Sequence, residues 1–239
     1  MRDHDLTRKI ILYGILIILL VSTIVIGYYT LGDQNRHNTK AIIAIPENAC
    51  IIIELKNPAE FPSDNSDLKS FIGKVSGDNE LKIFGNNLSE IQRLLSGKDD
   101  FNDITKDGVL YISLHKLSNN KTACLYSINI KDKELPLNKF IKDNYGNRFS
   151  IKHELYKGVT IYSLTEKNDK GEFYYFISKE VLACCNSPEL IKNSAEQIIS
   201  PYSILNDKNF SKLSKSAEIK ADANVYINYN MFPDLRNFA

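Results

Sequence analysis

The sequence predicts an α+β fold, in which an antiparallel β-sheet carries its helices mainly on one face and is preceded by a single N-terminal transmembrane helix. Three observations lead to this prediction. Runs of alternating apolar residues are joined by short turns, which favours antiparallel neighbours. Segments with helical spacing are grouped at 58–95 and 187–213 instead of alternating with the strands. An uncharged run of 23 residues lies between Lys9 and Asp33.

The uncharged run, residues 10–32, predicts where the protein is located. Crossing a bilayer takes about 20 apolar residues in a helix. No A-x-A pattern and no lipidatable cysteine follow the run, so we expect an uncleaved signal-anchor and not a signal peptide. Three basic residues precede the span and two follow it closely, which predicts a cytoplasmic tail at 1–9. The protein is then a single-pass cell-membrane protein whose C-terminal domain is extracytoplasmic (periplasmic).

Residues 33–40 are polar and form the predicted linker to an α+β domain at 41–222. Alternation of apolar residues predicts the strands of that domain and one strand after it. The predicted strands are 50–56, 109–117, 122–130, 149–155, 159–164, 173–178, 181–185 and 224–229. Turn residues separate neighbouring strands, as in Ser118-Asn119-Asn120-Lys121 and Lys157-Gly158.

Apolar residues at helical spacing predict helices within 58–95, a short helix at 136–145, a helix that begins at Ser187 and another around Phe210 and Leu213. The third of these has a clear start signal, because Ser187 is a capping residue and Pro188 suits the first helical position. Its apolar face is expected to consist of Leu190, Ile191, Ala195, Ile198 and Ile199.

The two ends of the soluble part, residues 49–61 and 223–235, resemble each other. Each has an alanine, a short apolar strand, an asparagine and then a helix start that contains proline. Such self-similarity indicates a repeated unit, and residues 223–239 would then be the truncated start of a second repeat. The alternative is two unrelated strand-to-helix turns. On the repeat hypothesis we expect residues 230–239 to be poorly packed and the native sequence to continue beyond Ala239.

Charge and motifs exclude several classes of function. After residue 32 the chain carries 27 of its 30 basic and 27 of its 29 acidic residues, so the soluble part is neutral. A nucleic-acid partner is not expected, since such proteins carry a basic excess. Phosphate loops, nucleophile elbows and calcium loops are absent from the sequence. We therefore predict no catalytic residue, no cofactor and no metal site.

The cysteines and histidines fit a structural role. Cys50, Cys124, Cys184 and Cys185 all lie in apolar runs, which leaves two alternatives open: buried thiols, or a disulfide between Cys124 and either Cys184 or Cys185. His115 and His153 lie on predicted strands, and we expect each to be hydrogen-bonded or solvent-facing. His4 precedes the anchor and His37 lies in the linker.

The candidate site is an aromatic run, which consists of Phe173, Tyr174, Tyr175 and Phe176. Successive residues of a strand point to opposite faces, so both faces of this strand are aromatic. Two alternatives follow. The strand is covered on both faces, or one face exposes aromatic side chains as an apolar binding surface.

Several segments together carry a family resemblance. They are the single anchor, Ala-Ile-Pro-Glu-Asn-Ala at 44–49, the 173–185 hairpin followed by Ser-Pro-Glu-Leu, and Ala-Asn-Val-Tyr-Ile-Asn-Tyr at 223–229. This pattern resembles an uncharacterised bacterial family of cell-envelope proteins with a domain of unknown function, over most of 41–235. The resemblance implies a bacterial source and an envelope location. It supplies no catalytic residues.

We therefore expect a non-enzymatic, membrane-anchored scaffold or interaction protein of the bacterial cell envelope, with the membrane and an envelope protein as its partners. The alternative is a binding module for a lipid or another apolar ligand, which would use Phe173, Tyr174, Tyr175 and Phe176. A third hypothesis is an enzyme completed by sequence beyond Ala239.

Overall fold

The computed structural model describes residues 40–56, 58, 108–119, 121–130, 139, 143, 149–166, 172–218 and 221–231. All of them belong to one compact unit, Lys40–Ala239. The predicted tail at 1–9, the anchor at 10–32, almost all of the helices at 58–95 and 136–145, and residues 232–239 lie outside the described residues. No helix in the described part of the chain is long and apolar enough to span a membrane.

The described residues form one eight-stranded sheet in which every neighbouring pair is antiparallel. The strands are β1 (Ala49–Leu55), β2 (Leu110–Lys116), β3 (Thr122–Asn129), β4 (Phe149–Tyr156), β5 (Val159–Glu166), β6 (Glu172–Ser178), β7 (Val181–Cys185) and β8 (Ala223–Ile227). Their spatial order is β4-β5-β6-β7-β3-β2-β1-β8. The α+β class and the antiparallel sheet are confirmed, and every strand ends within two residues of its predicted bounds.

The described helices are α1 (Pro188–Ile199) and α2 (Lys208–Ser216), with 3-10 turns at Ala41–Ala44, Ile204–Asn206 and Tyr229–Met231. The predicted start of α1 is confirmed, because the Ser187 hydroxyl accepts a hydrogen bond from the Leu190 N–H at 3.2 Å. The predicted apolar face of α1 was wrong at one position. Ile199 is exposed, whereas the buried Ser194 joins that face and donates to the Ala44 carbonyl at 2.6 Å.

The sheet has two different faces. The helix face is defined by Ile52, Tyr111, Leu125 and Phe176, and the 3-10 turn Ala41–Ala44, α1 and Phe210 of α2 pack on it. The tyrosine face is defined by Tyr126, Tyr162 and Tyr175, together with the aliphatic residues that alternate with the helix face. Both described helices therefore lie on the same face, as predicted. The helices predicted at 58–95 lie almost wholly outside the described residues.

Two hairpin turns have left-handed backbones. Lys157 and Gly158 have φ angles of 49° and 87°, and Lys179 and Glu180 have φ angles of 50° and 63°. Left-handed geometry costs a non-glycine residue about 1 kcal/mol or more. At the second turn, contacts with neighbouring elements offset this cost. The Lys179 ammonium donates to the Ile198 carbonyl in the last turn of α1 at 2.8 Å, and Glu180 forms an ion pair with Lys40.

The two segments that resemble each other in sequence are neighbours in the sheet. β1 pairs with β8 in antiparallel register, with Ile53 opposite Val225, and β8 lies at the edge of the sheet that the described strands form. The strand predicted to end at Tyr229 ends at Ile227; Asn228 still donates its N–H to the Cys50 carbonyl of β1 at 2.8 Å, and the 3-10 turn Tyr229–Met231 then follows. The strand that opens the predicted second repeat is thus part of the same sheet, and the repeat itself stays a prediction.

Candidate functional site

A row of side chains crosses the tyrosine face from the middle of the sheet to its β4 edge. We call it the tyrosine row, and it consists of Tyr126, Cys184, Tyr175, Tyr162 and His153. Each residue lies directly opposite the next in the strand register, so the side chains stand next to one another on one face. The β4–β5 and β6–β7 turns each hold only two residues, which fixes the registers that place His153 opposite Tyr162 and Tyr175 opposite Cys184.

The row changes from buried to exposed along its length. Tyr175 is 4% exposed, Tyr162 is half-buried and His153 is exposed. The rings of Tyr162 and Tyr175 are stacked, with centroids 4.8 Å apart and planes at 11°. The rings of His153 and Tyr162 are tilted at 45°, with centroids 6.0 Å apart. Stacked aromatic pairs of this kind contribute about 1 kcal/mol beyond their burial. The buried end therefore holds the exposed end in place.

Burial keeps two members of the row, Tyr175 and Cys184, uncharged at neutral pH. Burial raises the pKa of the Tyr175 hydroxyl above its usual range, and the neighbouring Tyr162 raises it further. Burial, and then Cys185, raises the pKa of the Cys184 thiol. A protonated thiol is a poor nucleophile. The row thus offers an apolar, polarisable surface with polar tips, which suits binding better than covalent chemistry.

The aromatic run predicted as a binding surface is divided between the two faces. Phe173 and Tyr175 lie on the tyrosine face, whereas Tyr174 and Phe176 lie on the helix face. Phe176 is fully buried among residues of α1 and the 3-10 turn, and Tyr174 donates its hydroxyl to Glu172. Burial and that hydrogen bond raise the pKa of Tyr174 to about 12. The structure therefore brings together only Phe173 and Tyr175, next to Tyr162.

Reasoning from sequence missed Tyr162 and His153 as members of this surface, although a signal for both was present. The Lys157-Gly158 turn has two residues, so Tyr156 must lie opposite Val159. Counting outward from that pair places His153 opposite Tyr162. The further step from Tyr162 to Tyr175 needs the β5–β6 register. The polar turn through Gly171 predicts a connection there, but a connection of five residues, 167–171, does not fix the register as a two-residue turn does.

A second polar group combines a serine, a histidine and an amide, which are residue types that nucleophilic enzymes use. His115 Nε2 lies 2.8 Å from Ser113 Oγ, and its Nδ1 lies 3.1 Å from Asn48 Oδ1. An amide oxygen only accepts, so Nδ1 carries the proton and Nε2 accepts from the serine hydroxyl. This is the arrangement of an activated nucleophile.

Burial makes this arrangement structural. His115 is 1% exposed and the Ser113 side chain is fully buried, so a substrate cannot reach the hydroxyl. Burial also lowers the pKa of His115 to about 3, which keeps the ring neutral. The contacts join the loop before β1 to β2. The prediction that His115 is hydrogen-bonded is confirmed, and His153 is solvent-facing as expected.

Glu54 organises a polar cluster on the helix face of β1 and β8. Its Oε2 accepts from the Tyr226 hydroxyl at 2.8 Å and from the Asn224 amide at 3.2 Å. Burial, followed by the Glu54 hydrogen bond, raises the pKa of Tyr226. The Tyr226 ring contacts Phe210 of α2, with centroids 5.1 Å apart. This cluster attaches the edge strand β8 and helix α2 to the sheet.

The structure decides between the alternatives for the cysteines. None of the four forms a disulfide; Cys50, Cys124 and Cys185 are buried thiols, and Cys184 is half-buried. Cys185 donates to the Ser187 carbonyl at 3.2 Å. Within the described part of the chain, no group of three His, Cys, Asp or Glu side chains is placed to hold a metal ion.

The fold and the site define an α+β domain with an antiparallel sheet whose tyrosine face opens toward one edge. Comparison of the chain with protein-family models, with curated proteins and with solved structures finds no match. The resemblance to bacterial cell-envelope proteins therefore rests on the sequence segments alone, and a functional conclusion has to come from the geometry.

Proposed function

We propose that this chain is a membrane-anchored, extracytoplasmic interaction protein of the bacterial cell envelope, without a catalytic role, and that it contacts a protein partner through the outer half of its tyrosine face. The observation that carries this proposal is the tyrosine row, which is buried at β3 and exposed at β4. Tyrosine is enriched at the centre of protein interfaces, because its ring is apolar and its hydroxyl can still find a polar partner.

The surroundings of the row support this proposal. Phe149, Ile151 and Phe173 are half-buried beside it, and Leu155 on the same face is 75% exposed. Large exposed apolar residues grouped on one face are typical of interaction sites. The predicted anchor at 10–32 supplies the envelope location, and the inaccessible Ser113 and His115 are in keeping with a role without catalysis.

One experiment tests location and partner together. A membrane-impermeant amine cross-linker is added to intact spheroplasts, and the tagged full chain is then captured from solubilised membranes. We expect the domain to be modified and one protein to be recovered in stoichiometric amount. Leu155→Ser and Tyr162→Ala should lose that protein, whereas Tyr202→Ala should retain it, because Tyr202 is 67% exposed but lies between α1 and α2.

Each failure has its own meaning. Protection of the domain from the cross-linker, with a periplasmic control protein modified, contradicts the proposed orientation. Modification of the domain without a stoichiometric protein contradicts the interaction role.

The second candidate function is binding of a lipid or another apolar ligand. It is favoured by the stacked rings of Tyr175 and Tyr162 and by the half-buried Phe173 on the same face, which together offer aromatic surface at the inner end of the exposed region. A lipid that copurifies with the wild-type chain but not with Tyr162→Ala, in the absence of a protein partner, would favour this candidate over the scaffold.

A further inference from the structure

Strand β4 (Phe149–Tyr156) forms one edge of the sheet, and β5 is its only neighbour among the described strands. Because the turn to β5 has two residues, Tyr156 and Val159 form a hydrogen-bonded pair. The alternation of an antiparallel ladder then directs the N–H and C=O groups of Ile151, His153 and Leu155 away from β5. Such outward groups are a template for pairing with another strand.

We propose that β4 pairs in antiparallel register with β4 of a second copy of the chain, with His153 opposite His153 at a two-fold axis. The proposal concerns self-association of the edge; it shares Leu155 with the surface proposed for the protein partner, but its test measures recovery of a second copy and not of that partner. Its evidence is the side-chain pattern of the strand, Phe-Ser-Ile-Lys-His-Glu-Leu-Tyr, which is complementary to itself in this register.

The charges select this register. A two-fold axis perpendicular to the sheet keeps each side chain on its own face, so even-numbered residues lie opposite even-numbered ones. Among the registers that meet this condition, two pair the largest number of residues of one β4 strand with the other. One places Lys152 opposite Lys152, and like charges in that position are destabilising. The other places Lys152 of each copy opposite Glu154 of the other, in non-hydrogen-bonded pairs where side chains are closest.

The intramolecular contacts of Glu154 are compatible with this pairing. Its Oε1 lies 2.9 Å from the Lys192 ammonium of α1, and both side chains remain substantially exposed. A carboxylate has two oxygens and can accept from more than one cation. Glu154 can therefore bind Lys192 of its own chain and Lys152 of the second copy at the same time.

The tyrosine face is complementary in the same register. Ile151 of each copy lies opposite Leu155 of the other, so the dimer covers the Leu155 side chain that is 75% exposed in the single chain. Because His153 lies opposite Tyr162 within each chain, the two tyrosine rows meet at the axis and form one continuous row across both copies.

Paired charge reversals test the register. Two differently tagged forms of the full chain are co-expressed and solubilised in mild detergent; one tag is captured and the other is measured. We expect the wild-type pair to be recovered. Lys152→Glu paired with itself places the introduced carboxylate opposite Glu154, and Glu154→Lys paired with itself places lysine opposite lysine, so each recovery should fall roughly tenfold or more. Lys152→Glu paired with Glu154→Lys restores two opposite-charge contacts and should restore recovery.

Two control variants distinguish a loss of pairing at the β4 edge from other effects of changing a charge. Lys192→Ala removes the same intramolecular ion pair as Glu154→Lys but leaves β4 unchanged, and Lys212→Glu reverses an exposed charge on α2. Both should dimerise like the wild type. Absence of recovery for the wild-type pair overturns the proposal. Equal recovery of all combinations overturns it too, since association would then use another surface, such as the predicted anchor.

Discussion

Strands β1–β2–β3, here the first half, and strands β4–β5–β6, here the second half, lie on either side of β7 in the sheet and are built on the same antiparallel ladder but differ in what covers them. In the first half almost every residue is buried on both faces, apart from a few at strand ends and Glu54. In the second half the burial falls strand by strand, and β4 has five exposed residues out of eight. The difference indicates that the first half contributes most of the buried core, whereas the second half presents more of its side chains to solvent.

The polar residues follow the same division. In the first half His115 is hidden with both ring nitrogens hydrogen-bonded, and Glu54 is satisfied by Tyr226 and Asn224. In the second half two exposed ion pairs connect the sheet to α1, Glu154 with Lys192 and Lys157 with Glu196. Exposed pairs of this type contribute little to stability.

The largest effect should come from a matched pair of leucine truncations. Leu125 of β3 is 0% exposed, and Leu155 of β4 is 75% exposed. Leu125→Ala should lower the free energy of unfolding by about 2 to 5 kcal/mol, because it removes buried methyl groups and leaves a cavity. Leu155→Ala should change it by less than about 0.5 kcal/mol.

Urea denaturation of the full chain in detergent, followed by circular dichroism, measures both values. Similar losses for the two variants would show that the two halves of the sheet do not differ in the way their burial indicates.

The next effect concerns pH and compares two histidines. In the unfolded chain His115 binds a proton near pH 6.5, whereas burial lowers its pKa in the fold to about 3. Between these pH values the unfolded state binds more protons than the folded state does. The contribution of His115 to the free energy of unfolding is therefore fully present above pH 6.5 and decreases as the pH falls. The linkage gives a loss of about 2 kcal/mol from pH 6.5 to pH 4.5.

His115→Gln should remove this part of the pH dependence, since glutamine cannot take up the proton. His153→Gln, which replaces an exposed histidine of β4, is the matched control for the substitution itself. Denaturation midpoints at pH 6.5, 5.5 and 4.5 measure the slope, and an unaltered slope in His115→Gln would refute the assignment.

The strands were predictable from sequence because their signals are local. Alternation of apolar residues located all eight described strands, and the Ser187-Pro188 start located α1. The errors came from tertiary contacts. Ile199 has the right spacing for the apolar face of α1, yet the helix ends there and Lys179 occupies the carbonyl of Ile198. Ser194 is buried because its hydroxyl finds the distant Ala44 carbonyl.

The candidate site was predictable only in part, because it depends on register across several strands. The aromatic run drew attention to Phe173 and Tyr175, but the sequence does not show which face of a strand remains open. That outcome is set by α1, which covers Phe176 from outside the sheet. The assembly of Tyr126, Cys184, Tyr175 and Tyr162 required the non-local pairing of β3 with β7, which no turn in the sequence specifies.

The smallest effect distinguishes the two tight turns. Gly158 ends the β4–β5 turn at φ 87°, and Glu180 ends the β6–β7 turn at φ 63°. Gly158→Ala should lower stability by about 1 kcal/mol through backbone strain alone, since an added Cβ would meet no atom within 4 Å.

Glu180→Gly should relieve similar strain but lose the exposed ion pair with Lys40, so we expect a gain of about 0.5 kcal/mol. Thermal denaturation of both variants measures these changes. Lys40→Ala, measured beside them, removes the same ion pair without changing the turn backbone and so separates the effect of strain from that of ion pairing. A loss of stability in Glu180→Gly that is larger than the loss in Lys40→Ala would show that the Glu180 side chain stabilises the β6–β7 turn by more than its backbone strain costs.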